Sequence, residues 1–288
     1  MKSLIYFFIS IVISITLASS VQKPIDTGKS ITLQSTGINV GSVLLKQSAD
    51  IISTRLKLFG INISEIKVSA EKGQVIILLP DKTDISEIEG LLTSKGELSF
   101  YETYTPAEIL NLLKPDNQLF KLLNTDQDKR ESADPRVGCT NSENKLKTNE
   151  YLQSAIPPKN CKLFWGKKSE KSGYCLFALK TNQDGKPLLI RSDVESVKIV
   201  SGTDPKDQKI QIKLKAEAVS VFADATEKNI NKAIAIVIDN QVYAWPVVKS
   251  AIKGGEIEVT GNFTRNEVNY FPALFNSEQL PLSFKLLK

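Results

Sequence analysis

The chain has 288 residues, 41% of them hydrophobic and 24% charged, with a net charge of +5 and no histidine. That length and composition support one large globular domain or two small ones with real cores, and the mild positive excess is too weak to imply a nucleic-acid surface. The missing histidine excludes Ser-His-Asp and Cys-His catalysis and histidine-based zinc sites, which moves the reading from catalysis toward binding.

Residues 1–20 have the three-part layout of a secretory signal. Lys2 supplies the positive start, and Leu4–Leu17 is apolar apart from Ser10, Ser14 and Thr16. Ala18-Ser19-Ser20 is a small-residue exit. The apolar run is shorter than the ~20 residues that span a bilayer. Cleavage is therefore favoured over an uncleaved anchor, and residues 21–288 are read as exported.

The next stretch, 21–104, reads as βαββαβ. Ser30–Ser35 alternates like a strand. Gly41–Phe59 carries an apolar helical stripe at Val43, Leu44, Ile51, Ile52, Leu56 and Phe59. Ile63–Ser69 and Gln74–Leu79 are strands joined around Glu71-Lys72-Gly73. Asp84 caps a helix to Ser94, with Glu87 three residues on, and Leu98–Thr103 is the closing strand.

Residues 105–205 read as an irregular insertion. Thr105-Pro106 starts a helix, with Glu108 placed for a capping box. The polar stretch Asn124–Glu150 reads as exposed chain. A hairpin follows within 161–180, with Leu163–Trp165 and Tyr174–Leu179 as its strands and Trp165 set opposite Tyr174. That register leaves Cys161 three positions away from facing Cys175. Among three cysteines the favoured disulfide is then Cys139–Cys161, with three unpaired thiols as the alternative.

Residues 206–288 repeat the βαββαβ order. Lys209–Leu214 alternates Lys/Gln with Ile/Leu, Ala216–Asn229 is helical, and Ala233–Ile238 is a buried strand. Asp239-Asn240 turns the chain into Val242–Trp245. Glu256–Thr260 follows the bend at Gly254-Gly255. Thr264 and Glu267 form a capping box for a helix to about Phe275 that contains Pro272, and Leu282–Leu286 closes the unit. The fold class is α+β: two ferredoxin-like (split βαβ) subdomains with the insertion between them.

The motifs in this order resemble the first periplasmic domain of SecD and fused SecDF proteins. The resemblance rests on Arg55–Ile61 (RLKLFGI), Val75–Pro80 (VIILLP), Gly96–Thr105 (GELSFYETYT) and Leu176–Lys180 (LFALK). Towards the end it rests on Ala225–Asn229 (ATEKN), Ala235–Pro246 (AIVIDNQVYAWP), Ile252–Thr264 (IKGGEIEVTGNFT) and Leu280-Pro281. It covers about residues 43–105 and 160–288. It implies a base-like subdomain at 21–104 and a head-like one at 206–288. That family uses an intramembrane ion path to draw preproteins outward, and a path of that kind needs spanning helices. The resemblance here implies the polypeptide-handling part alone, without proton-driven activity.

These readings predict a non-enzymatic periplasmic accessory of Sec-dependent export, with no catalytic residue, metal or cofactor. It would bind unfolded preprotein or Sec translocase components, through an apolar groove or an open strand edge. Trp245, Tyr243, Phe263, Trp165 and Phe164 are the candidate contact residues. Trp165 and the following lysines also suit a membrane surface; no nucleic acid or small-molecule substrate is expected. The alternative is a structural or regulatory envelope protein that binds one folded partner on the same scaffold.

Overall fold

A computed structural model describes residues 28–37, 40–125, 131–156, 158–169, 172–201, 208–259 and 265–287. The expected signal at 1–20, Thr264 of the expected capping box and the contact candidate Phe263 lie outside them. The fold is α+β, as the sequence indicates.

The first sheet has the order β14-β1-β3-β2, every neighbour antiparallel. Its strands are β1 (Lys29–Ser35), β2 (Glu65–Ser69), β3 (Gln74–Leu79) and β14 (Phe284–Leu287). This is the strand order of a split βαβ unit. The closing strand, however, is the last strand of the chain and not Leu98–Thr103. The reason lies in β4 (Leu98–Glu102). It buries Leu98 and Phe100 on one face and Tyr101 on the other, so it needs cover on both sides. β14 carries an exposed Lys285 beside a buried Phe284, which suits a sheet edge.

Two helices cover this sheet. Helix α1 (Ser42–Phe59) turns Leu45, Ala49, Ile52 and Leu56 into the core, at helical spacing, and ends at Gly60 with φ 97°. Ile51, Ile52, Leu56 and Phe59 of the expected stripe face the core, whereas the first-turn residues Val43, 76% exposed, and Leu44 lie outside it. Helix α2 (Ile85–Thr93) is capped by the Asp84 carboxylate, which accepts from the Ser86 N–H at 2.9 Å.

β4 sits inside a second sheet, of order β12-β11-β4-β8, with β8 (Leu189–Ile190), β11 (Ile234–Ile238) and β12 (Gln241–Ala244). Ile234, Ile236 and Ile238 of β11 join Phe100 in the main core; Ala235 and Val237 join Tyr101 in another cluster. A strand covered on both faces reads as a continuous apolar run, which accounts for IAIVI. The third sheet, β13-β10-β9, contains β9 (Val194–Ser201), β10 (Gln208–Leu214) and β13 (Glu256–Val259). The strands expected to form a second split βαβ unit are thus shared among three sheets. Lys209 and Lys213 lie on the central strand β10 and pair across it with Glu258 and Glu195 at 3.1 and 2.9 Å. Helices α6 (Ala216–Lys228) and α7 (Arg265–Phe275) pack against these sheets, and α7 continues through Pro272.

The described residues of 105–205 form more regular structure than their polarity suggests. Helices α3 (Pro106–Leu113) and α4 (Leu119–Leu122) precede a sheet of order β5-β7-β6, made of β5 (Arg136–Thr140), β6 (Cys161–Trp165) and β7 (Tyr174–Lys180). Helix α5 (Ser142–Ser154) starts at an Asn141 cap. It sets Tyr151 and Leu152 against Val137, Leu176 and Ala178, so a few apolar residues in the polar stretch suffice to anchor it. Thr105 and Glu108 form the expected capping box on α3.

The disulfide joins Cys139 to Cys175, not Cys139 to Cys161. β5 and β6 flank opposite sides of β7. Cys139 stands directly across from Cys175, with Cα atoms 3.9 Å apart, whereas Cys161 faces Lys180. Trp165 pairs with Leu176, two residues from the expected Tyr174. Cys161 is a buried free thiol, and burial pushes it up to about 12.

Candidate functional site

A cleft of about 700 Å³ opens between the second and third sheets. Phe100 of β4 and Ile234 and Ile236 of β11 form its floor. Phe222 and Thr226 of α6 form one wall, and Ile257 of β13 the other. Phe100 and Phe222 meet edge to face, with ring centroids 6.1 Å apart. The loop Pro246–Ser250 and Ile252 make the rim. Backbone bonds from Ile234 N–H to Pro246 O and from Val248 N–H to Lys232 O hold that loop down. Thr226 ties the rim to α6, its hydroxyl accepting from the Ile252 N–H at 2.9 Å and donating to Phe222 O at 2.9 Å.

β13 ends its sheet beside this cleft. The Leu214 N–H donates to Gly255 O, and the register pairs Ile212 with Ile257 and Ile210 with Val259. In an antiparallel ladder the alternate residues point their backbone groups the other way. The N–H and C=O groups of Glu256 and Glu258 therefore face the open edge, without a backbone partner among the described residues. Gly255, at φ 69°, lets the strand begin against Val219; a Cβ there would lie 2.6 Å from its side chain.

A buried polar hub fixes the hairpin that supplies the floor. Asp239 and Asn240, at φ 48° and 63°, turn β11 into β12. The Asp239 carboxylate accepts from the Ser94 hydroxyl, from Gly96 N–H at 3.3 Å and from Glu97 N–H at 2.8 Å. Beside it lies Arg55 of α1, fully buried. It donates to Ser277 Oγ and to the carbonyls of Leu91, Ser94, Lys95 and Glu278, at 2.6–3.1 Å. Arg191 donates to the carbonyls of Gly96, Leu274, Phe275 and Ser277. The guanidinium groups thereby take up carbonyls at the C-terminal ends of α2 and α7, where the helix dipole favours positive charge. Burial, then the Arg191 charge, push the Arg55 guanidinium down to about 10. Burial likewise lowers Arg191 and raises the Tyr270 phenol, the latter to about 12.

The contact candidates among the described residues, Trp245, Tyr243, Phe164 and Trp165, do not line the cleft. Trp245 follows β12 directly before the rim, 38% exposed, with its ring 4.7 Å from Phe177. Tyr243 stands edge-on to Phe271 at 4.7 Å, and Phe164 packs on Tyr101 at 5.6 Å. The Trp165 indole N–H donates to Asn149 Oδ1 at 2.8 Å. The residues that do line the cleft, such as Phe222, Ile236 and Ile257, carry the alternation of ordinary core. The apolar rim residues Val247, Val248 and Ile252, which lie in a loop between strands, were the available signal. Among the described residues, no group of three His, Cys, Asp or Glu is placed to hold a metal ion, and no helix is long and apolar enough to cross a membrane.

A four-stranded sheet in split βαβ order, interlocked with further sheets around an apolar cleft, defines an α+β scaffold suited to binding. Comparison with known proteins places it more closely. Residues 178–282 match the family model for the SecDF P1 head subdomain. The SecD translocase subunit of Calditerrivibrio nitroreducens is 23% identical over 245 residues, covering 85% of this chain and 40% of that protein. SecD of Dictyoglomus turgidum is 30% identical over 107 residues, covering 37% of this chain and 27% of that protein. A solved structure described as a membrane component SecDF that enhances protein export superposes with a TM-score of 0.50 at 19% identity, over 90% of this chain and 98% of that one. The chain is similar to SecD proteins over most of its length and to the SecDF P1 head subdomain over residues 178–282, and it spans less than half the length of these curated relatives.

Proposed function

We propose that this chain is a non-enzymatic periplasmic accessory of Sec-dependent export, and that it holds translocating or unfolded polypeptide in the cleft between the second and third sheets. The observation that carries this reading is the meeting of an apolar groove with the edge of β13 that has no paired strand among the described residues. An extended segment adds to that edge through main-chain bonds, which are indifferent to sequence, while its alternate side chains enter the groove. The relationship to SecD supports the setting, and the 178–282 match supports a head-like role for that part of the chain. The sheet of β14, β1, β3 and β2 takes the base-like role. The work assigned to the chain is binding and not proton-driven pulling. Trp245 and Tyr243 extend the contact surface beyond the rim; Phe164 and Trp165 lie on the adjoining hairpin.

A photo-crosslinker at the exposed rim residue Lys249 tests this in cells, with one at Lys285 of β14 as control. Capture of unfolded export substrates from Lys249 alone is the expected result. Capture of one folded protein in fixed proportion, with no export substrate or Sec component, would instead support an envelope protein serving a single partner.

A further inference from the structure

A second surface stands apart from the cleft. The ammonium of Lys145 on α5 lies 3.9 Å from the centroid of the Tyr174 ring and 5.4 Å from that of Trp165. Lys168, in the connection between β6 and β7, stands 5.8 Å from the same Tyr174 ring. Neither lysine has a carboxylate partner among the described residues. An aromatic face orients a cation without neutralising it, because the ring carries a quadrupole and no net charge. Two full positive charges are thus held in place by two half-buried amphipathic rings. The platform is stiff. The Cys139–Cys175 disulfide ties the strand next to Tyr174, and the Trp165 indole is anchored on Asn149 of α5. Leu146, adjoining Lys145, is 65% exposed.

We propose that the cluster of Lys145, Trp165, Lys168 and Tyr174 is a docking surface for anionic lipid headgroups. Its charge complements lipid phosphates. Tryptophan and tyrosine suit the zone where an apolar body meets a wet edge. An acidic polypeptide segment would match the lysines but, carrying charge at its contact points, would leave the ring edges without an apolar counterpart. This surface goes beyond the polypeptide-binding reading and does not depend on it.

The test uses the full chain carrying Trp245→Phe, so that Trp165 is the remaining one of two tryptophans. It is mixed with vesicles of phosphatidylcholine, with or without phosphatidylglycerol, containing a nitroxide quencher at headgroup depth. An apolar N-terminal segment partitions into either vesicle, so the difference between them isolates the cluster. Quenching is expected with phosphatidylglycerol alone, and salt should abolish it. Each lysine near an anionic surface is worth about fivefold in partitioning. Lys145→Glu with Lys168→Glu should therefore weaken binding by at least about 25-fold, whereas the double Arg variant should keep it. Equal quenching in both vesicle types, no quenching with phosphatidylglycerol, or undiminished binding by the folded double Glu variant would overturn the proposal. So would binding of polyglutamate without vesicle quenching, which would mark a site for acidic polypeptide.

Discussion

The Nε of Arg55 lies 3.1 Å from Oγ of Ser277, across 222 positions of sequence. That bond joins the first helix to the segment that follows the last one. It belongs to a set of five that satisfies a fully buried guanidinium. Removing the donor takes a hydrogen bond from four carbonyls and a hydroxyl, of which Lys95 O keeps the Leu280 N–H and the Ser277 hydroxyl keeps Leu274 O; lost bonds to buried groups are expensive. Arg55→Met should destabilise the chain by at least about 1–3 kcal/mol, the cost of one buried polar group left unsatisfied. Urea unfolding followed by circular dichroism measures this as a lowered midpoint.

Asp239 holds the turn of the β11–β12 hairpin against the residues that lead into β4. Its carboxylate accepts two backbone N–H groups and the Ser94 hydroxyl. Asp239→Ala should destabilise the chain by about 2–3 kcal/mol, as expected for losing charge-assisted hydrogen bonds. Amide exchange should quicken most at Glu97, whose N–H would lose its acceptor, and less at Gly96, which also donates to the Ser94 hydroxyl.

The disulfide closes a loop of sequence separation 36. The chain-entropy relation gives about 4 kcal/mol for a loop of that size. Replacing Cys139 and Cys175 by Ser should lower stability by up to that amount, and Cys161→Ser should leave the bridge intact. Non-reducing peptide mapping should find Cys139 linked to Cys175. A maleimide should label the native chain slowly and label one thiol after unfolding, because Cys161 is buried and pushed up to about 12.

Glu108 supplies a pH dependence. Burial works against its charge, but the Thr105 N–H and Lys180 outweigh it and hold the carboxyl below its usual range. A carboxylate whose folded pKa is depressed stabilises above its unfolded pKa, and that contribution is lost as pH falls through the folded value. Glu108→Gln should therefore lower the melting temperature near neutral pH. The difference from the parent chain should close as pH falls below about 4.

Much of the fold was legible where local chemistry is self-sufficient. The capping box at Thr105 and Glu108, the cap at Asp84, the turn at Asp239-Asn240 and the apolar run of β11 all carry their own signal. The errors lie where distant partners decide. β4 has the form of a closing strand until β8 and β11 are seen on either side of it. In α1 the error falls in the first turn, where Leu45 faces the core in place of Val43 and Leu44; three consecutive apolar residues leave the facing one undecided by sequence. The Cys139–Cys175 pair required β5, which the polar composition of its neighbourhood concealed. The cleft was hidden for a related reason: its walls are core-type residues, and what leaves them uncovered is the spacing between two sheets.

The central claim is that β13 offers its open edge to an extended chain. Glu258→Pro removes one outward N–H and spares the ladder to β10, since proline is tolerated on the solvent side of an edge strand. The measurement is the affinity of a fluorescent unfolded preprotein segment for the parent and for this variant, by anisotropy, at matched folded fraction. Weakening by about fivefold or more, as the loss of a main-chain bond worth about 1 kcal/mol implies, is the predicted result. Unchanged affinity in the folded variant would contradict the account.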